Sequence, residues 1–342
     1  MTVLIRVDAS RHIGVGHLMR CLALAQALDE CHVEVTFIIR AETRPICLSR
    51  HDWVGQTLVI PEHITLEEES AWIKAQELEA CLLILDGYQF DEHYRLAIKQ
   101  TLGLPLVLFD DTNSSGMLHA DIVINSAPEA RNLGYEKTAP DAILCLGEEY
   151  RVLRREFTVL PDTSWSQRHT LTLVFGGSDV ANLTIRLLQA LESTDLECPI
   201  RVMTGAAYPF NDELQHVIAD SRFAIQHMPN CQQVAEVFCH SRLVVSAAGS
   251  SQYELQACET PAILVVVADN QFPATDSAVK QGWCQMFDLR ELGNTSQNLQ
   301  SIANDVTKLW QDNEALQLMH KKARESRIND GTALLDILLK QV

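Results

Sequence analysis

Short runs that are apolar on both faces alternate with segments of helical period along this 342-residue chain, and the alternation starts twice. "MTVLIRVDA" reads as a strand, "GHLMRCLALAQALDEC" as a helix and "HVEVTFIIR" as a second strand. A helical stretch over 66–80 follows, then the strand "CLLILDGY", a helix over 91–102, and the strands "LPLVLFDDT" and "ADIVINS". A strand apolar on both sides must be covered on both sides, which implies a parallel sheet between helical layers. After the polar stretch "LPDTSWSQRHT" the pattern begins again with "LTLVFGGSD", a helix in "ANLTIRLLQALES", and the strands "PIRVMTG" and "RFAIQHMP". The helix "NCQQVAEVFCHS", the runs "RLVVSAAGSS" and "TPAILVVVA", and a helical tail complete it. The expected fold is α/β: two tandem Rossmann-like parallel-sheet domains facing a cleft. The expected boundaries are 1–160 and 168–342, with the last helix a candidate to return to the first domain.

Such domains bind ligands beyond the carboxyl ends of their strands. Three small-residue loops occupy those positions: Gly14 to His17, Gly176 to Asp179, and Ala248 to Ser251. Each joins a strand to a helix start, where free N–H groups and the positive end of the helix dipole favour an anion. "GVGH" lacks the spacing of a full dinucleotide fingerprint, so a plain strand-to-helix turn accounts for it equally well. In "FGGSD" a tight turn and a helix cap at Asp179 are the alternative. "AAGSSQYE" says more, because Gly249 permits close backbone approach, Ser250 and Ser251 add hydroxyls, and Glu254 lies where a carboxylate could hold a ribose. Its alternative is an N-cap followed by a first-turn glutamate.

A formal charge of −18 argues against nucleic acid or an anionic membrane as partner, since both require a basic face. A small phosphorylated ligand is compatible with it. The longest apolar runs, such as "AILVVVA", are far shorter than the roughly 20 residues that cross a bilayer, and a cytoplasmic location is expected. Ten scattered cysteines show no zinc-like spacing and read as free thiols, so neither a metal nor a cofactor is expected.

The stretch "RVDASRHIGVGHLMR", Arg6 to Arg20, resembles the N-terminal signature of the UDP-sugar hydrolases of pseudaminic acid biosynthesis. Members release UDP and 2,4-diacetamido-2,4,6-trideoxy-β-L-altropyranose. The similarity continues through "LGEEYRVLRREF", "FGGSDVANLT", "AAGSSQYELQACETPAILV" and "ADNQ". It implies a glycosyltransferase-B architecture, shared with the lipid II-forming N-acetylglucosamine transferase, whose second domain holds UDP. By this resemblance His17 is the catalytic base, and the loop with Gly14 and Gly16 meets the reacting sugar. Gly177, Ser178, Gly249, Ser250, Ser251 and Glu254 lie near UDP, and Asn270 and Gln271 near the diphosphate or sugar. Arg6 and Arg20 join the substrate-binding set. Two departures bear on the sugar. Ser114 stands where the family pattern expects an arginine, and "INDGTALLDI" keeps Asp330 and Gly331 but has Leu334 and Leu335 in place of the later arginine.

The chemistry of the residues fits this assignment. Attack at an anomeric carbon needs an activated water, while the phosphate leaves as a stable anion with little help. A histidine in a helix's first turn meets the positive dipole end, which favours the neutral ring that a base requires. Asp8, at the end of the first strand, is expected to orient His17 or bind a sugar hydroxyl. Arg20, one turn on, either shares the face of His17 or pairs with a carboxylate. Asp110 and Asp111 end another strand and read as loop caps or substrate contacts. A glycosyltransferase using an acceptor hydroxyl in place of water, and a non-catalytic nucleotide-sugar binder, are the alternatives. UDP-sugar and UDP are the expected ligands.

Overall fold

The computed structural model describes residues 2–10, 13–290, 295–326 and 331–342. Its strands form two sheets, each entirely parallel. The first runs in the order β3-β2-β1-β4-β5-β6-β7, with β1 Thr2–Val7, β2 Glu34–Arg40, β3 Gln56–Ile60, β4 Ala80–Asp86, β5 Leu106–Phe109, β6 Ile122–Asn125 and β7 Ile143–Leu146. The second runs β10-β9-β8-β11-β12-β13, with β8 Thr170–Val174, β9 Ile200–Thr204, β10 Ile225–Pro229, β11 Ser241–Ala247, β12 Ala262–Val266 and β13 Cys284–Asp288.

The described residues pack as two units. One draws on Met1–Ile13, His17–Arg155 and Asn329–Val342, the other on Gly14–Gly16 and Glu156–Ile328. The helix Thr332–Leu338 therefore packs with the first unit, where Leu334 and Leu338 are fully buried. At Gly331, which precedes it with φ +76°, a Cβ would come within 2.8 Å of the Val152 side chain. Leu334 is thus a core residue, whereas Asp330 lies outside the described residues.

Each unit has its own apolar core. In the first, Ile38, Leu83, Leu85 and Leu108 of the sheet meet Ile73, Tyr94 and Ile98 of the covering helices. In the second, Leu171, Leu173, Val202, Val245 and Val265 meet Leu187, Leu188, Ile302 and Val306. The central strand β8 is buried along its whole length. Its sequence is TLTLV, and the buried Thr172 hydroxyl is satisfied by the Ser241 hydroxyl of the neighbouring strand at 2.7 Å. Three strands that sequence periodicity passes over, β3, β7 and β13, are short and lie at sheet edges. An edge strand is only part-covered, so it lacks the two-faced apolar signature. The helical stretch expected over 66–80 is shorter in the fold: a helix spans Glu69–Lys74 and β4 has begun by Ala80.

In both sheets the chain winds outward in one direction and then crosses over to wind in the other. The reversal falls between β1 and β4 in the first sheet and between β8 and β11 in the second. Crevices open at such switch points, beyond the strand carboxyl ends. Among the described residues, no helix is long and apolar enough to cross a membrane.

Candidate functional site

At the first switch point, β1 leads through a loop into the helix Gly16–Glu30, and Gly14 in that loop has φ +84°, a conformation open to glycine. His17 occupies the first turn of that helix. Parallel pairing sets Val7 of β1 opposite Asp86, the last residue of β4, so the carboxylate ends up beside the helix start. His17 Nδ1 lies 2.6 Å from Asp86 Oδ1. Two lone pairs would repel at that distance, so Nδ1 carries a hydrogen and donates it, which in the neutral ring puts the lone pair on Nε2.

Asp86 is fully buried and is held by more than the histidine. Arg20 donates through Nε to Asp86 Oδ2 at 2.5 Å and through Nη2 to Oδ1 at 2.6 Å, a two-pronged grip on one carboxylate. Burial by itself would raise the Asp86 carboxyl, but Arg20 and His17 outweigh it and hold it down to about 2. Arg20 also donates to Asp111 Oδ1 at 2.7 Å, and Tyr88 donates its hydroxyl to Asp111 Oδ2 at 2.8 Å. Asp111 too is held below the usual carboxylate range: burial opposes this and Arg20 overcomes it. The Tyr88 ring meets His17 edge-on, with centroids 4.8 Å apart, and the Arg20 guanidinium lies 5.0 Å from the Phe109 ring centre. His17 is thereby fixed by one carboxylate, Asp86, which Arg20 grips, while Asp111 beyond the end of β5 holds Arg20 and Tyr88 in turn.

Two expectations are corrected here. Asp8 does not orient His17; its Oδ1 accepts the Arg40 N–H at 2.7 Å and its Oδ2 lies 2.7 Å from Arg6 Nη1. Arg6 is not a ligand-facing cation. Its guanidinium is 1% exposed and donates to Glu69 at 2.8 and 2.9 Å. Glu69 also accepts from Arg40 and from the Tyr94 hydroxyl, so the pair belongs to a buried network. The reason is the helix Glu69–Lys74, which brings a carboxylate against β1 that local sequence around Arg6 does not announce. Asp110 is a cap: its Oδ1 accepts the Thr112 and Asn113 N–H groups and the Tyr135 hydroxyl. Ser114 shares a hydrogen bond with Thr112 at 2.8 Å. Asp86 and Tyr88 are the residues missed in sequence, although "CLLILDGY" ends a strand with an aspartate, which was the available signal.

At the second switch point the loop after β8 carries Gly176, Gly177 and Ser178, and the loop after β11 carries Ala248, Gly249 and Ser250. The strands β8 and β11 are neighbours, so both loops emerge side by side at one end of the sheet. Asp179 accepts the N–H groups of Leu183 and Thr184, at 2.8 and 2.9 Å, and so caps the helix Leu183–Leu191. Ser251 opens the helix Ser251–Ala257, and Glu254 is half-buried in its first turn. Asn270 and Gln271 lie in the turn Asp269–Gln271 after β12, the next strand over. There the Gln271 side-chain carbonyl accepts the Val267 N–H at 2.9 Å. Among the described residues, no group of three His, Cys, Asp or Glu side chains is placed to hold a metal ion.

Residues 171–335 match the glycosyltransferase family 28 C-terminal domain. Over the whole chain the fold superposes on MurG of Acinetobacter baumannii with a TM-score of 0.65 at 17% identity, covering 99% of each chain. The fold is of the glycosyltransferase-B type. In sequence it is similar to the UDP-2,4-diacetamido-2,4,6-trideoxy-β-L-altropyranose hydrolase of Campylobacter jejuni, with 25% identity over 293 residues that cover 83% of this chain and 98% of that protein. It is also 25% identical over 293 residues to an uncharacterized protein of Methanocaldococcus jannaschii, and the match spans only 59% of that longer relative.

Proposed function

We propose that the protein is an enzyme acting on a nucleotide sugar, and that it hydrolyses a UDP-linked 2,4-diacetamido-2,4,6-trideoxy sugar at the anomeric C–O bond, in pseudaminic acid biosynthesis. The observation that carries this reading is the His17–Asp86 contact, which dedicates Nδ1 to a buried ionised carboxylate and leaves Nε2 to take a proton. In the proposed step a water attacks C1 of the sugar and His17 Nε2 accepts its proton. The C1–O bond breaks, its electron pair stays with the oxygen on the β-phosphate, and free sugar, UDP and a proton result. Attack opposite the leaving group inverts the anomeric configuration. Asp86 stays ionised throughout and stabilises the imidazolium as it forms.

We propose that the second unit holds the nucleotide. Gly177, Ser178, Gly249, Ser250 and Ser251 supply N–H groups and hydroxyls for the diphosphate. Glu254 holds the ribose, and Asn270 and Gln271 lie on the diphosphate or sugar side. In the stretch between β1 and the body of the following helix, Gly14 and Gly16 let the backbone approach the sugar, and Arg20 serves by gripping Asp86. The family 28 match favours one alternative, a transferase in which an acceptor hydroxyl replaces water.

Incubation of UDP-diacetamido sugars in plain ¹⁸O-water tests both. Hydrolysis yields free sugar carrying the label at C1 and unlabelled UDP. Label in UDP would mean attack at phosphorus and would overturn the mechanism. No reaction until an acceptor alcohol is added would favour the transferase, and His17→Asn should lower turnover by about 10²–10⁴ in either case.

A further inference from the structure

The strand β9 ends at Thr204, and the next residue, Gly205, opens a turn closed by a hydrogen bond from the Tyr208 N–H to the Gly205 carbonyl at 3.1 Å. A Cβ built on Gly205 would lie 2.5 Å from Gly177 Cα, 2.5 Å from the Gly177 carbonyl oxygen and 2.8 Å from its carbonyl carbon. Carbon atoms pack at about 3.5–4.0 Å, so not even a methyl group fits there. All three atoms it would strike are backbone, which cannot swing aside as a side chain can. Glycine is required for close approach and not for an unusual φ, since Gly205 has no positive φ. The same turn reaches the far end of the loop as well, where the buried Tyr208 directs its hydroxyl to Asn182 Oδ1 at a long 3.5 Å. By contrast, a Cβ on Gly249 would meet nothing within 4 Å. The two glycine loops at this switch point are thus supported differently, and the one after β8 leans backbone-to-backbone on the turn after β9.

We infer that Gly205 is a positioning residue for ligand binding: its bare backbone sets the height of the Gly177 peptide, and with it the direction of the N–H groups that receive a nucleoside diphosphate. The inference rests on the proposed placement of UDP for its ligand, but the support of one loop by another stands apart from it. An added methyl must lift the loop at Gly177, while β8 and β9 keep their hydrogen bonds. Overpacking of this kind is felt locally where the displaced segment is a loop and not a strand.

The experiment compares wild type, Gly205→Ala and Thr204→Val by amide hydrogen exchange in free protein and by calorimetric titration with UDP. Thr204→Val removes the hydroxyl that meets His227 Nε2 at 2.9 Å, and so perturbs the same strand end without adding bulk against Gly177. Gly205→Ala should speed exchange over 175–182 about tenfold and raise the UDP Kd about tenfold, equivalent to about 1.4 kcal/mol. Thr204→Val should leave both near wild type. Unchanged exchange over 175–182 in Gly205→Ala would overturn the inference. So would equal losses of UDP affinity in both variants that track lost thermal stability. If wild type does not bind UDP, the nucleotide placement fails while the exchange data still decide the role of Gly205. Should Gly205→Ala not fold, wild type suffices: UDP must slow exchange in 175–182 and 205–208 together, and protection confined to 175–182 would refute the coupling.

Discussion

Replacing Asp86 by asparagine keeps the shape of the side chain and removes what His17 needs from it. In the native site Oδ1 receives hydrogen bonds from His17 Nδ1 and Arg20 Nη2, each at 2.6 Å, while Oδ2 receives Arg20 Nε at 2.5 Å. Asparagine offers one acceptor oxygen and one nitrogen with two hydrogens. If the nitrogen faces His17, the ring must accept at Nδ1 and carry its hydrogen on Nε2, which can then no longer take a proton from water. If the nitrogen faces Arg20 Nε, two donors confront each other in a buried place, at a cost of about 1–3 kcal/mol. The first arrangement sets the same nitrogen against Arg20 Nη2, so both lose an arginine hydrogen bond; in the one His17 takes the wrong tautomer, and in the other it keeps the right one without the negative charge that stabilises its imidazolium. Loss of a positioned base lowers turnover by about 10²–10⁴, or about 2.7–5.4 kcal/mol of barrier. UDP affinity should stay near that of wild type, because the residues proposed to hold UDP are elsewhere. The assay is UDP release from the UDP-diacetamido sugar, with a calorimetric UDP titration and a thermal melt as controls. A folded Asp86→Asn that keeps turnover within about tenfold of wild type would refute the role of Asp86 in orienting and charging His17.

Glu254→Ala should weaken UDP binding by roughly one to two decades, the loss expected for a charged hydrogen-bond partner worth about 1.5–3 kcal/mol, and an unchanged titration would remove Glu254 from the ribose. Turnover should survive excess EDTA; activity lost to EDTA and restored by Mg²⁺ or Mn²⁺ would reveal a metal requirement. Asp86 also links folding to pH. Its carboxyl is held at about 2, against about 3.9 in an unfolded chain, so its ionisation contributes on the order of 2–3 kcal/mol that is present above about pH 4 and lost as the pH falls toward 2. Urea melts of Asp86→Asn should therefore lose stability less steeply than wild type across that window, and equal slopes would show that Asp86 is not the group responsible.

Local pattern carried a good part of the architecture. The doubled alternation of two-faced apolar runs with helices is a short-range property of the chain, because the period of a strand or helix shows within about ten residues. It was enough for two parallel sheets and for glycine loops at strand ends. It was not enough at the sheet edges, where partial burial blurs the period of β3, β7 and β13. His17 was legible for the same local reason: it follows a glycine turn with φ +84° at Gly14 and opens a helix.

What the chain order could not disclose is partnership across it. Asp86 is 69 residues from His17 and reaches it only because β4 crosses over to lie beside β1, a choice made by the whole sheet. Asp8, nine residues from His17, looked the nearer partner, yet Arg6 and the Arg40 N–H claim its carboxylate. Arg6 in turn is claimed by Glu69, 63 residues on. Gly205 reads as any glycine after a strand until its backbone is found against Gly177. A charged group inside a fold must be matched by whatever opposite charge the packing brings to it, since an unmatched buried charge is too costly to keep. Sequence by itself determined which residue types stand at the strand ends; the strand order and the helices laid over it decided which of them face a ligand and which face one another.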